Sequence, residues 1–86
     1  MPKPSVDKGE KNLISFRLRA LREKNGLSQR ALAARLQLQG CDMDKNVITR
    51  IETNKRYVTD LEIRALASLF NVSYSYLIEG KEDGNK

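Results

Sequence analysis

The chain has 86 residues and a formal net charge of +5, with a single cysteine, no histidine and no tryptophan. This length predicts one small domain, and the lack of a second cysteine or a histidine excludes a disulfide scaffold and a Cys/His zinc site. No apolar run reaches the roughly 20 residues of a membrane span and no signal-peptide core follows Met1, so a soluble cytoplasmic protein is expected.

Both ends of the chain are predicted to lie outside the folded domain. Residues 1–11 include two prolines and a glycine but almost no apolar side chain, which predicts a flexible arm. Such an arm can follow a DNA groove, although Asp7 and Glu10 dilute its positive charge and favour an inert tail. Residues 81–86 contain no apolar residue and are predicted to be disordered, which leaves residues 12–80 as one domain.

Five helices are predicted within that domain from apolar periodicity and capping residues, and no segment alternates with the period of a strand. Helix 1 covers Leu13 to Lys24, is capped near Asn12, and ends at Asn25-Gly26, where both residues tolerate a left-handed backbone. The other helices, each with its N-terminal cap, are Gln29 to Leu38 after Ser28, Lys45 to Thr53 after Asp44, Asp60 to Phe70 with the Thr59/Glu62 capping box, and Tyr74 to Glu79 after Ser73.

The spacing of the apolar residues also predicts the core. The positions expected to point inward are Ile14, Leu18, Leu21, Ala31, Leu32, Leu36, Val47, Ile48, Ile51, Ile63, Leu66, Ala67, Phe70 and Leu77, with Phe16 at the border. On helix 3 this leaves a polar face that is free to point away from the core, formed by Lys45, Asn46, Thr49 and Arg50. A short helix, a turn and a second helix with such a face form a helix-turn-helix pattern.

Charge is distributed unevenly along the chain. Residues 13–58 contain ten basic and four acidic residues, whereas residues 59–80 contain one basic and three acidic residues. This asymmetry favours one face for a polyanion and another for packing or for a partner. A solvated cationic surface is the alternative that charge alone leaves open.

Four segments in this order resemble the Xre/Cro-type, phage lambda repressor-like helix-turn-helix domains. They are L-R-E-K-N-G-L-S-Q from Leu21, A-L-A-A-R-L from Ala31, V-I-T-R-I-E from Val47, and A-L-A-S-L-F-N-V-S-Y-S-Y-L from Ala65, and the resemblance covers Leu13 to Ile78. It implies an all-α fold of five helices in which helices 2 and 3 form the helix-turn-helix. It also implies a sequence-specific double-stranded DNA-binding regulator of transcription, a repressor, with no metal or cofactor.

The resemblance further implies roles for particular residues. The early residues of helix 3 are expected to contact bases, with Asn46 suited to adenine and Arg50 or Lys45 suited to guanine. The residues expected to contact bases are Lys45, Asn46, Thr49 and Arg50, and those expected to contact phosphates are Ser28, Gln29, Arg35, Lys55 and Arg56. Arg22 and Glu52 are expected to form a structural ion pair. The alternatives are a helix-start role for Asn46, a solvated charge at Lys45 and simple exposure of Gln29.

The turn between helices 2 and 3 departs from the family pattern. Residues 37–41 look like about five extra residues before the lead-in to helix 3, which puts in doubt the angle of that helix in the groove. Asp42 and Asp44 also place negative charge near the phosphates and are expected to limit which DNA is tolerated. For Cys41 in this loop, redox or ligand sensing is one alternative, but Asp42 is expected to raise the pKa of the thiol and to favour an inert cysteine.

Two classes of function remain open, and neither is enzymatic, because no catalytic constellation presents itself. The first is the DNA-binding repressor, expected to bind as a homodimer because one small domain offers few contacts. Its dimer contact is expected at Tyr74, Tyr76 and Ile78, although these residues alternatively complete the core. The second class is a protein-interaction module such as an antitoxin or a bridging cofactor, for which the acidic helices 4 and 5 leave room.

Overall fold

The computed structural model describes residues 10–81, and the described chain folds into five α-helices. They are α1 (Ser15–Lys24), α2 (Gln29–Leu38), α3 (Lys45–Glu52), α4 (Asp60–Phe70) and α5 (Tyr74–Glu79). Helix α3 packs on α1 and α2, while α4 packs on α2 and α5. The predicted all-α fold is confirmed. Residues 1–9 of the predicted arm and 82–86 of the predicted tail lie outside the described residues, so those expectations stay predictions.

Local capping sets where four of the helices begin. The side chains of Ser28, Asp44, Thr59 and Ser73 each accept a hydrogen bond from the amide three residues later. At α4 the Glu62 carboxylate also accepts from the amide of Thr59, which completes the capping box. These caps match the predictions because a cap depends only on residues within one turn.

The core lies where the helices converge, and its buried residues come from every helix. They are Ile14, Leu18, Leu21, Leu32, Ala33, Leu36, Met43, Ile48, Ile51, Leu66, Ala67 and Leu77. Four predicted core positions are only partly buried, namely Ala31, Val47, Ile63 and Phe70. Phe16 is 79% exposed rather than at the border of the core. Ala33 and Met43 are buried although neither is among the predicted core positions, and the burial of Met43 holds the long turn between α2 and α3 against the core.

Asn12 does not cap α1, contrary to the prediction, and the helix begins two residues later than expected. Ile14 is the N-cap and makes no side-chain cap bond. Asn12 is instead buried: its Oδ1 accepts from the amide of Ile14, and its Nδ2 donates to the carbonyls of Ile51 and Arg56. The side chain satisfies one carbonyl in the last turn of α3 and one in the turn that follows it, which is why this polar residue is buried there.

Arg17 on α1 makes two hydrogen bonds with the backbone of α5. Its Nε donates to the carbonyl of Leu77 at 3.1 Å and its Nη2 donates to the carbonyl of Ile78 at 3.1 Å. A cation at the C-terminal end of a helix also interacts favourably with the helix dipole. The contact fits closely against Gly80, since a Cβ added there would lie 2.7 Å from Arg17 Nη1.

We expect Gly80→Ala to destabilise the domain more than Gly26→Ala. Both glycines have a left-handed backbone, with φ of +75° and +68°, so both substitutions cost about 1–2 kcal/mol of backbone strain. Only at position 80 must the Arg17 guanidinium also shift, which adds about 0.5–1.5 kcal/mol for a lost hydrogen bond. Unfolding of the two variants in guanidinium chloride measures the difference. Equal losses of unfolding free energy would contradict the role of Arg17.

Candidate nucleic-acid interface

One face of α3 is polar and open. Asp44 Oδ1 caps the helix by accepting from the amide of Val47 at 2.9 Å. Ile48 and Ile51 are fully buried on the inner side. The exposed residues on the opposite side are Lys45, Asn46 and Arg50, while Thr49 is partly buried. The short α3 therefore presents two cations and an amide that do not contribute to the core.

Arg30, and not Arg35, lies beside this face. A shallow concavity of about 490 Å³ between α2 and α3 is lined by Arg30, Ala33, Ala34, Gln37, Asp44, Lys45 and Asn46. Arg35 follows Arg30 by five residues, which is about 140° around a helix with 3.6 residues per turn, so it lies on another side of α2. Arg30 is not among the residues predicted to contact DNA. The signal was present, because Arg30, Ala33, Ala34 and Gln37 form one i, i+3, i+4, i+7 stripe whose alanines let α3 approach.

Arg22 and Glu52 lie in contact across α1 and α3, as the resemblance implies for this pair. Arg22 Nε lies 2.6 Å from Glu52 Oε2, and Nη2 lies 3.0 Å from Oε1. The third guanidinium nitrogen, Nη1, donates to the carbonyl of Leu27 at 2.9 Å. The hydrogen bond to Glu52 raises the pKa of Arg22 above its ordinary value, so the guanidinium stays charged. This fork of hydrogen bonds holds α1, the α1–α2 turn and α3 together.

Gln29 extends the same network toward the open face. Its Nε2 donates to Glu52 Oε1 at 3.0 Å, and its Oε1 accepts from the hydroxyl of Thr49 at 2.8 Å. Ser28 lies just before it, at the N-terminus of α2, where the first-turn amides and the helix dipole favour an anion. The network thus fixes the side chain of Gln29 next to a helix terminus suited to a phosphate.

Lys55 and Arg56, in the turn after α3, are both expected to contact phosphates, but their surroundings in the structure differ. Lys55 is exposed and follows Asn54, whose φ of +61° turns the chain. Arg56 instead makes two hydrogen bonds with the Glu62 carboxylate, at 2.9 Å and 3.0 Å, and a third with the carbonyl of Tyr57. A phosphate contact by Arg56 requires this ion pair with α4 to open, whereas Lys55 is available as it stands.

The ion pair of Arg56 and Glu62 predicts a dependence of stability on pH. The hydrogen bond from Arg56 lowers the pKa of Glu62 below its ordinary value. The ion pair therefore stabilises the fold fully above the pKa that Glu62 has in the unfolded chain, about 4.3. This stabilisation is lost as the pH falls through the lower pKa that Glu62 has in the folded state. We expect Glu62→Gln to lose about 1 kcal/mol at pH 7 and to show a smaller drop in stability between pH 7 and pH 3 than the wild type. Urea unfolding at both pH values measures this, and an unchanged drop would contradict it.

The long turn between α2 and α3 is held at several points. Gly40 takes φ +85° as α2 ends, and the amide of Cys41 donates to the carbonyl of Leu36 at 2.9 Å. Burial raises the pKa of the Cys41 thiol, and the charges of Glu62 and Asp42 add to the rise. The thiol is therefore mainly protonated at neutral pH, in agreement with the expected effect of Asp42.

A second exposed surface lies on α4 and α5. Tyr74 is 53% exposed, while Tyr76 and Ile78 are partly buried. Tyr74 and Ile78 line a mainly apolar groove of about 310 Å³ together with Asp60, Leu61, Ile63 and Arg64. Ile63 and Ile78 also line a neighbouring hollow of about 220 Å³, so the two depressions form one apolar surface. Of the three residues expected at a dimer contact, this surface includes Tyr74 and Ile78.

Comparison with known proteins gives one match. A family model described as helix-turn-helix matches residues 18–77, which is more than half of the chain. No curated protein and no solved structure matches. Among residues 10–81, no helix is long and apolar enough to cross a membrane, and in the same part of the chain no group of three or more His, Cys, Asp or Glu residues is placed to hold a metal ion.

Proposed function

This chain belongs to the helix-turn-helix family, of the Xre and lambda repressor-like type, and we propose that it is a repressor that binds a specific DNA sequence in the major groove. Membership of the family supports DNA binding by a regulator in general. The observation that carries the finer proposal is the open face of α3, where Lys45, Asn46 and Arg50 are exposed opposite buried Ile48 and Ile51. The repressor acts in the cytoplasm and needs neither catalysis nor a metal.

The proposed base contacts come from the first turns of α3. Asn46 offers an amide that pairs with adenine through two hydrogen bonds, and Arg50 offers a guanidinium fork for guanine. Lys45 at the start of the helix serves as a second guanine contact. Each such pair discriminates against a wrong base by about 1–3 kcal/mol.

The proposed phosphate contacts lie around this face and fix its position on the duplex. Ser28 and Gln29 supply the N-terminus of α2, and Lys55 supplies an exposed charge after α3. Arg30 is added to this set because it lines the concavity with Lys45 and Asn46. Arg35 and Arg56 were also expected in this set, but Arg35 lies on another side of α2 and Arg56 is paired with Glu62.

We propose a homodimer on DNA, in which the apolar surface of α4 and α5 meets its copy. Tyr74 and Ile78 are the contacts on α5, and Leu61, which is 65% exposed in the same groove, extends them. Tyr76, the third residue expected at the contact, lies on the same helix but does not line this groove. A two-fold dimer places two α3 helices about one turn of DNA apart, which supplies affinity that one small domain lacks.

Selection of a randomised duplex library by the purified protein at moderate salt tests the proposal. An enriched palindrome supports the dimeric, sequence-specific repressor, and a single half-site keeps the DNA function but removes the dimer. The affinity for the enriched duplex is expected to fall steeply with salt, in proportion to the phosphates contacted. No enrichment by a folded sample would overturn the proposal in favour of a protein-interaction module.

A further inference from the structure

We propose that Thr49 reads a thymine through its methyl group and so determines which base is selected at one position of the binding site. This inference rests on the proposed DNA binding and adds to it the chemistry of one contact. It concerns a residue whose polar atom is already used inside the protein.

The hydrogen bonds around Gln29 decide which of its amide atoms faces Thr49. A carboxylate only accepts hydrogen bonds, so the atom of Gln29 that lies 3.0 Å from Glu52 Oε1 is the amide nitrogen. The amide oxygen of Gln29 then lies 2.8 Å from the hydroxyl of Thr49. Because this oxygen accepts, Thr49 is the donor.

The single hydrogen of the Thr49 hydroxyl is therefore committed. Its oxygen lies near two acceptors, the amide oxygen of Gln29 at 2.8 Å and the carbonyl of Lys45 at 3.0 Å. The oxygen is turned toward α2 and the backbone of α3. With the oxygen bonded on that side, the inference assigns the methyl group of the partly buried Thr49 to a ligand on the open face, on the same helix as Asn46 and Arg50.

A methyl group selects for thymine in the major groove. Thymine carries the C5-methyl group on its major-groove edge, and a threonine methyl is one of the apolar groups that contact it. Burial of one methyl group corresponds to about a fourfold change in affinity. Thr49 thus complements the hydrogen-bonding side chains beside it by an apolar contact.

Replacing each thymine of the selected duplex in turn by deoxyuridine tests this contact, because the change removes only the methyl group. We expect the wild type to lose about fourfold in affinity at one thymine of each half-site. Thr49→Ser keeps the hydroxyl bond to Gln29 but lacks the methyl, and it should bind the thymine and deoxyuridine duplexes equally at that position. Thr49→Val should keep the sensitivity.

Thr53→Ser is the matched control, because Thr53 also bonds a carbonyl four residues earlier, at 2.8 Å, but lies one turn further along the chain. It should keep the wild-type loss at the same thymine. If no thymine shows the loss, or if Thr49→Ser still shows it, the inference is wrong while sequence-specific binding stands. If no duplex is selected at all, the proposed function fails and this inference fails with it.

Discussion

Replacing Arg22 with alanine is expected to lower the free energy of unfolding by about 3–5 kcal/mol, the cost of stranding one charge of a buried ion pair. The side chains of Arg22 and Glu52 are 12% and 3% exposed. Without the guanidinium, Glu52 keeps one of its three hydrogen bonds, the one from Gln29, and the carbonyl of Leu27 loses its donor. In a domain of this size the melting temperature should fall by about 12 °C or more, measured by circular dichroism.

Arg19→Ala is the matched control on the same helix. Arg19 lies 3.1 Å from Glu23, but these side chains are 65% and 57% exposed, so water replaces the contact when it is lost. We expect a change of about 0.5 kcal/mol or less. Arg22→Lys should fall between the two, because a lysine keeps the charge but cannot form the fork. Equal melting temperatures for Arg22→Ala and Arg19→Ala would show that the ion pair of Arg22 and Glu52 does not stabilise the fold.

The features that could be predicted from the sequence are those set within one or two helical turns. Ser28, Asp44, Thr59 and Ser73 mark helix starts because each cap bonds an amide three residues away. The inward positions of Ile48 and similar residues follow from helical period alone. These local signals give the fold, and the resemblance gives the order in which the helices pack.

The features that could not be predicted depend on distant parts of the chain. Asn12 is a residue type that is favoured at helix N-caps. Its partners Ile51 and Arg56 nevertheless lie about forty residues away, and only the fold brings them together. Met43 lies in an extra-long turn with no period to mark it as buried. Arg56 is basic in sequence, but Glu62 on the next helix engages it.

The same limit applies to the candidate interface. The sequence identifies the polar face of α3, since that face is the complement of the buried stripe. The stripe of small residues next to Arg30 indicates a side of α2 that a helix can approach, but how the two helices cross decides that α3 lies on this side and that Arg35 does not face it. Arg30 lies there and Arg35 does not. The sequence also does not show that Gln29 bonds Glu52 and Thr49. These bonds restrict the hydrogen-bonding groups that Gln29 and Thr49 can present to DNA.

Replacing Asn46 with alanine is expected to weaken binding to the selected duplex between about 5-fold and 150-fold, the range that corresponds to 1–3 kcal/mol. Asn46 is exposed on the first turn of α3, and alanine is a better helix former, so the fold should not suffer. The loss should come with relaxed preference at one base pair, which an adenine occupies in the selected site. Titration of single-base variants of the duplex measures both effects.

Lys55→Ala is the comparison that distinguishes a base contact from a phosphate contact. Lys55 is exposed in the turn after α3 and offers a point charge without a fixed hydrogen-bonding geometry. Its removal should weaken binding to every duplex alike and reduce the slope of log affinity against log salt by about 1. Asn46→Ala should leave that slope unchanged, because an amide displaces no counterion. If Asn46→Ala instead weakened selected and unrelated duplexes equally, Asn46 would not read a base, and recognition would have to be assigned to Lys45 and Arg50.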